Sequence, residues 1–256
     1  MWSHGGVGAV DSGYAALAAT AERVALDAAD MVRQARESLL AGHGVAVDTK
    51  SSRTDVVTAV DTESERLVRS RLAALRPGEP VLGEEEGDAG PPTEGADVRW
   101  VVDPIDGTVN FLYGLPGFAV SVAAQIDGVS VAGAVVEPVS GRRWTAIRGE
   151  GAWLDGRPLA TSAPESLETT LLATGFAYRS ERRARQAELL ARVLGRVRDI
   201  RRSGSAALDL CGVAAGWTDA YVEHGLSPWE SSTRSMISAL VNSPRIRTAK
   251  PSPESR

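Results

Sequence analysis

Three short segments concentrate carboxylates directly after strand-like hydrophobic residues. Gly83-Glu84-Glu85-Glu86-Gly87 follows Val81-Leu82, and Trp100-Val101-Val102 runs into Asp103-Pro104-Ile105-Asp106-Gly107-Thr108. Ala220-Tyr221-Val222 ends at Glu223, with Glu230 seven residues later. Apart from His224 beside Glu223, no histidine or cysteine adjoins these acids, and carboxylates so placed form a hard-oxygen environment suited to Mg²⁺ or Mn²⁺ rather than zinc. Acids sharing one pocket repel one another and so demand cations. Two such ions can neutralise a phosphate, generate a hydroxide from bound water and stabilise the leaving oxygen of an in-line displacement. Asp106-Gly107-Thr108 adds a second ingredient: glycine permits close backbone approach, and amides of a chain turning into a helix point at a bound anion. Each segment also has a plain structural reading. Glu84–Glu86 reads as a solvated acidic turn, Asp103–Gly107 as a tight turn, Asp61 as a helix N-cap and Glu223 as an exposed strand end. Their occurrence together, in order, favours the chemical reading.

The elements that must position these residues follow from spacing. From Tyr14 to Leu40, apolar residues recur three and four apart (Leu17, Ala21, Val24, Ala28, Val32, Ala35, Leu39), which predicts one long helix with a buried face. Thr54 to Val60 is β-branched and predicted extended, with Asp61-Thr62-Glu63 opening a second helix that turns Leu67, Val68, Leu72 and Leu75 inward. Strands are predicted at 81–82, 99–102, 118–126, 131–136 and 144–147, the last three joined by short turns such as Asp127-Gly128 and Ser140-Gly141. Asp88 to Asp97 reads as a surface loop. A second half is expected from about Gly151, with strands at 171–174, 199–202 and 219–223 and helices at 182–194 and 206–216. Strands in runs with helices interspersed predict an α+β fold. The expected organisation is a loose extension over residues 1–12, a domain over 13–230 in two halves (13–150 and 151–230), and a divergent tail over 231–256.

Composition removes other classes. The 256 residues are 43% apolar and 24% charged, ordinary for a globular domain. Lys50 and Lys250 are the only lysines, and no Gly-x-x-x-x-Gly-Lys-Ser/Thr loop, Gly-x-Ser-x-Gly elbow or His-Glu-x-x-His helix occurs. The single cysteine, Cys211, excludes an internal disulfide and favours a reducing compartment, so the cytoplasm is expected. No apolar run approaches the roughly 18–20 residues that span a bilayer, and Met1 to Gly13 has no signal-peptide pattern. A net charge of −5 argues against nucleic acid or anionic membrane as partner, and an acidic protein handling an anionic substrate needs cations between them. The arginine-rich stretch 179–202 has acids interleaved and no aromatic pattern, as a solvated helix face does.

These segments resemble the inositol monophosphatase family of Mg²⁺-dependent, lithium-sensitive phosphatases. The likeness lies in Lys50-Ser51-Ser52 with Asp55 to Asp61, in Gly83-Glu84-Glu85, in WVVDPIDGTVNF over 100–111, and in Gly204 to Leu210 with Tyr221-x-Glu223, and it spans roughly Ala15 to Trp229. The resemblance implies the layered α/β/α/β/α sandwich of the sugar phosphatases, commonly a homodimer. It implies two or three Mg²⁺ ions, with Glu84, Asp103 and the Ile105 carbonyl on the first, Asp103 and Asp106 on the second, and Lys50 nearby. Asp61, Glu84 and Thr108 would activate the attacking water, and the amides of Gly107 and Thr108 would hold the phosphate. Glu223, Asp106 and the Ser205-Ala206 backbone would bind the hydroxyls of a small phosphorylated polyol or sugar. Inositol monophosphate is the first substrate implied; histidinol phosphate, fructose bisphosphate or a nucleotide phosphate, or a non-catalytic family member, are the alternatives.

The ending departs from the family, where Trp-Asp leads into a helix of small residues, Glu-Ala-Gly-Gly and final strands. Here Trp229 is followed by Glu230, which takes the metal-ligand place, and residues 231–256 show no such ending. A C-terminal part altered by frameshift, truncation or divergence is expected, leaving the sandwich incomplete with an unpaired sheet edge.

Overall fold

The computed structural model describes residues 7–50, 56–88 and 97–223, with side chains from residue 13 onward. Helix α1 (Val7–Leu40) leads through an antiparallel pair, β1 (Val47–Thr49) and β2 (Val56–Thr58), into helix α2 (Ala59–Leu75). Strands β3 (Val81–Gly83), β4 (Gly87–Asp88) and β5 (Val98–Asp106) precede the short helix α3 (Thr108–Leu112). A meander follows: β6 (Ala119–Ile126), β7 (Val129–Val136), β8 (Arg143–Ile147), β9 (Gly151–Leu154) and β10 (Arg157–Pro158). The remaining elements are β11 (Leu171–Thr174), α4 (Ser180–Leu194), β12 (Asp199–Arg201), α5 (Ala206–Ala214) and β13 (Ala220–Val222).

An eight-stranded sheet has the order β10-β9-β8-β7-β6-β5-β3-β4, antiparallel except where β3 lies parallel to β5. A smaller sheet, β12-β11-β13, is wholly parallel. Helices α1 and α2 cover one face of the large sheet, where Ala21, Val24, Ala25, Ala28 and Val32 pack with Val68, Leu72, Val102, Val120 and Val122. Small alanines let the α1 backbone approach the strands closely. On the opposite face, Ala119, Ala123, Val135 and Trp144 meet Ala207, Leu210, Cys211 and Val213 of α5, which is thereby sandwiched against the small sheet. With α4 outermost, the layers run α/β/α/β/α, as expected. Helix α4 buries none of its residues, consistent with a solvated arginine-rich face.

Local chemistry sets the element ends. Helix α1 stops in a Schellman turn: Gly42 adopts φ 91°, its N–H donates to the Leu39 carbonyl, and the His43 N–H donates to that of Ser38. Helix α2 starts with a capping box in which the Thr58 side chain accepts from the Asp61 N–H, and the Asp61 carboxylate accepts from the Thr58 N–H.

Several expectations are corrected. Helix α1 begins at Val7, so residues 7–12 are helical rather than a loose extension. Extended structure ends at Thr58, one residue before α2 begins. Thr58, not Asp61, is the N-cap, because Asp61 is already three residues inside the helix. Helix α5 ends at Ala214, and β1, β4, β9 and β10 are unforeseen short elements, whereas α3 begins at Thr108, where the chain was expected to turn into a helix. The large sheet continues past residue 150 through β9 and β10. Among the described residues no helix is long and apolar enough to cross a membrane.

Candidate active site

The two aspartates of the 103–106 segment reach one face of the sheet through an irregularity in β5. In a regular strand, residues three apart point to opposite faces. Here Asp103 opposes Ser121 and Asp106 opposes Ala119, so three steps along β5 match two along β6. The extra residue is a bulge at Pro104-Ile105, where proline has no N–H to give to the ladder. Both carboxylates therefore face the α5 side, while Ile105 points into the core beneath α1 and α2.

Beside them stands the Thr108–Asp61 pair. Both side chains are buried, and the Thr108 hydroxyl donates to Asp61 Oδ1 at 2.8 Å, with the Ile105 carbonyl also within reach at 3.0 Å. Asp61 Oδ2 accepts from the Thr58 amide at 2.9 Å and the Thr58 hydroxyl at 2.5 Å. Burial raises the proton affinity of Asp61, partly offset by those hydrogen bonds from Thr58 and Thr108.

The acidic turn after β3 faces the same region. Glu84 is hydrogen-bonded to Asp103, and two carboxylates in contact require a proton or a cation between them. Burial, with Asp106 adding to it, raises the Glu84 carboxyl, against the opposing pull of Lys50. The Lys50 ammonium lies 2.7 Å from Glu84 Oε1 and 2.6 Å from Glu85 Oε1. Burial alone would lower its affinity for a proton, but the two glutamates outweigh that and hold it charged. Burial pushes Glu85 up to about 7 despite Lys50.

Asp106 belongs to a second cluster, at the start of α5. Its Oδ2 accepts from the Ser205 hydroxyl at 2.5 Å and the Ala207 amide at 2.6 Å, and its Oδ1 from the Ala206 amide at 3.3 Å. A carboxylate is favoured at a helix N-terminus, yet burial still raises this one. Ser205 itself caps α5 through the Leu208 N–H at 3.1 Å. Glu223, just after β13, accepts from the Tyr221 hydroxyl and lies over Gly175, where a Cβ would overlap its carboxylate. Asp106, Ser205, Ala206 and Glu223 line one cleft together with Phe176, Tyr178, Arg202, Gly204, Asp209 and Tyr221. Burial, aided by the charges of Asp106 and Glu223, pushes Asp209 up to about 7.

Gly107 joins the two clusters. It adopts φ 99°, and a Cβ there would crowd the carbonyls of Gly117 and Gly204, the second of which lies in the other half of the chain. Asn110 of α3 spans the same seam, donating to the Gly117 carbonyl at 2.5 Å and the Ser203 carbonyl at 2.8 Å.

The structure thus gathers Asp61, Thr108 and the Ile105 carbonyl at one point, Glu84 with Asp103 beside them, and Asp106, Ser205, Ala206 and Glu223 across Gly107. Glu230 lies outside the described residues. The donor set fits a hard divalent cation: carboxylates in mutual contact, a peptide carbonyl at the bulge and, among the described residues gathered here, neither histidine nor cysteine. Among the described residues no three acidic, histidine or cysteine side chains yet converge on one point, since Glu84 is turned to Lys50 and Asp106 to α5. Sequence reasoning missed the hydrogen bonds that Thr58, Glu65 and Asn110 make to these segments and the places of Arg202 and Asp209 in the cleft. For two of them a signal exists: Thr58-x-x-Asp61 has capping-box spacing, and Glu65 interrupts the apolar face that Val68 and Leu72 continue.

Known proteins resemble this chain over most of its length. Residues 14–232 match the model of the inositol monophosphatase family. The chain is 53% identical over 236 residues to an inositol-1-monophosphatase of Mycobacterium leprae (strain TN), covering 87% of this chain and 80% of the relative. It is 40% identical over 196 residues to the Nus factor SuhB of Pseudomonas aeruginosa, covering 75% and 72%. The solved structure of Mycobacterium tuberculosis SuhB superposes with a TM-score of 0.75 at 46% identity, covering 88% of this chain and 84% of that one.

Proposed function

Because this chain belongs to the inositol monophosphatase family, we propose that it hydrolyses small polyol or sugar phosphate monoesters, inositol monophosphate foremost, with Mg²⁺ as cofactor. The observation that carries this reading is the buried Thr108–Asp61 hydrogen bond set beside the Glu84–Asp103 carboxylate contact. Glu84, Asp103, Asp106 and the Ile105 carbonyl would hold the ions, with Glu230 as a further ligand from the tail. When bound, two or three such cations supply charge neutralisation for the phosphate and lower the pKa of an attacking water.

The chain's own residues supply orientation and a proton path. A hydroxyl that donates to Asp61 Oδ1 leaves its oxygen lone pairs as acceptors, so Thr108 Oγ1 takes a hydrogen bond from the attacking water. The water's proton passes to Oγ1 as the hydroxyl proton moves to Asp61 Oδ1. Burial favours the protonated form of Asp61 that results, and Thr58 keeps the carboxyl group fixed through Oδ2. The amides of Gly107 and Thr108 hold the phosphate, with Gly107 in the left-handed conformation that turns β5 into α3. Glu223, Asp106 and the Ser205-Ala206 backbone receive the polyol hydroxyls, and the Tyr221 hydroxyl orients Glu223.

The test is phosphate release from inositol 1-phosphate by purified protein while Mg²⁺ is titrated, with and without lithium. Metal-dependent, lithium-inhibited release is expected. Release confined to histidinol phosphate, fructose bisphosphate or a nucleotide phosphate would reassign the substrate, and no release from any of them would identify a non-catalytic family member. Light scattering tests the homodimer that the family implies.

A further inference from the structure

We propose that Glu65 is a positioning residue that sets the Glu84 carboxylate in place for a divalent cation, acting through the backbone of the acidic turn and not by touching the ion. The proposal rests on the functional reading above, in which Glu84 is a ligand.

Glu65 lies four residues after Asp61 on α2, on the same face one turn along, and is completely buried. Burying a carboxylate is costly unless every oxygen is satisfied. Here Oε2 accepts from the Glu85 amide at 2.7 Å, and Oε1 from the Glu86 amide at 3.1 Å and from Arg69 Nε at 2.9 Å. Arg69 in turn donates to the Val81 carbonyl at 3.0 Å and the Gly87 carbonyl at 2.7 Å, one on each side of the turn. Every partner of Glu65 is therefore part of the acidic turn or grips its two ends. Gly83 leaves the room, because a Cβ at that position would overlap the Glu65 carboxylate.

The arrangement answers an electrostatic problem. Glu84, Glu85 and Glu86 are consecutive anions that repel each other, and a fourth carboxylate beneath them adds to the repulsion. Arg69 offsets the Glu65 charge, and both Glu65 oxygens receive the amides that fix the turn. The neighbouring residues of α2 repeat the device: Asp61 takes the Thr108 hydroxyl, and the Ser64 hydroxyl donates to the Pro104 carbonyl at 3.2 Å in the β5 bulge. One turn of helix thus holds three segments of the site: the acidic turn, the bulge and the start of α3.

The experiment is calorimetric titration of Mn²⁺ into metal-free wild-type protein, Glu65→Gln, Gly83→Ala and the control Glu63→Gln, with amide hydrogen exchange at Glu85 and Glu86 followed by NMR. Glu63 is exposed on the same helix, so its variant removes the same charge without touching the turn. Glu65→Gln turns an N–H₂ group toward an amide donor, and Gly83→Ala displaces the carboxylate with its charge intact. Both are expected to weaken Mn²⁺ binding by about 10- to 100-fold, as loss of a group supporting a ligand does. Both are also expected to speed exchange at Glu85 and Glu86, with Glu63→Gln unchanged in both readouts. In turnover, the half-saturating Mg²⁺ should rise more than kcat at saturating Mg²⁺ falls. Wild-type affinity and exchange in either folded variant, verified by circular dichroism, would overturn the positioning role alone. No Mn²⁺ uptake by the wild-type protein would instead overturn the functional reading.

Discussion

The Thr108 hydroxyl has one proton and two acceptors near it, the Asp61 carboxylate at 2.8 Å and the Ile105 carbonyl at 3.0 Å. A charged acceptor makes the stronger bond, so the proton lies toward Asp61 and the oxygen remains an acceptor. Thr108→Val removes that acceptor while nearly keeping the volume. A fall in kcat of about 10²–10⁴ is expected, the usual worth of a positioned proton acceptor, with the fold retained by circular dichroism. Thr108→Ser keeps the hydroxyl and should keep most of the activity. At this scale the sequence was informative only jointly: Asp61, Glu84, Asp103 and Asp106 each have an ordinary cap or turn reading, and their occurrence together with Thr108 beside hydrophobic strands points to chemistry. It was uninformative about Asp209, which is part of an ordinary helical first turn until folding brings Asp106 and Glu223 near it.

Among the elements, β5 and its exit carry the most consequence. The bulge at Pro104-Ile105 decides that two aspartates of odd spacing share a face, and Gly107 then redirects the chain into α3 at φ 99°. Gly107→Ala meets two penalties at once: a left-handed conformation that side chains resist, and a Cβ pressed against the Gly117 and Gly204 carbonyls at 3.0 and 3.2 Å. A destabilisation of about 1–3 kcal/mol is expected from thermal or urea unfolding. Phosphate release should fall further than stability does, because the same movement separates Thr108 from Asp106. Strand positions and the α1 helix were legible from periodicity, since burial of one face imposes it. The bulge was not, because Asp-Pro-Ile-Asp-Gly reads equally as a turn until β6 is aligned beside it. The cap of α2 was misread for a related reason: Asp61 and Thr58 are both good caps, and only the backbone shows which residue is still extended.

Across the whole molecule, the carboxyl ends of the parallel strands in both sheets point to one region. Gly83 of β3 leads to Glu84, Asp106 ends β5, and Val222 of β13 leads to Glu223. Acid therefore accumulates at the junction between the sheets, and the electrostatic consequence can be measured. Asp209, pushed up to about 7 by burial and its acidic neighbours, stays protonated in the native state where the unfolded chain has lost that proton. Between roughly pH 4 and 7 the native state binds more protons, so stability falls as pH rises through that window and levels off above it. For metal-free protein, Tm is expected to drop by several degrees from pH 5 to pH 8, and Asp209→Asn should flatten the drop. Saturating Mg²⁺ should raise Tm at pH 8 by mass action, since only the folded chain assembles the acids.

The sequence by itself determined the order of most elements, the α+β layering and the candidate residues proposed to hold a hard cation and a phosphate. Hydrophobic period and residue chemistry are local properties, readable one segment at a time. Tertiary structure decided which acids meet: that Asp103 and Asp106 face the same way, that Asp106 serves the α5 N-terminus while Glu84 meets Asp103, and that Glu65 is spent on the acidic turn. Those outcomes depend on strand register, on a bulge defined only by its partner strand, and on contacts between residues up to about a hundred positions apart, such as Asp106 with Ala206. No pattern within one segment encodes them.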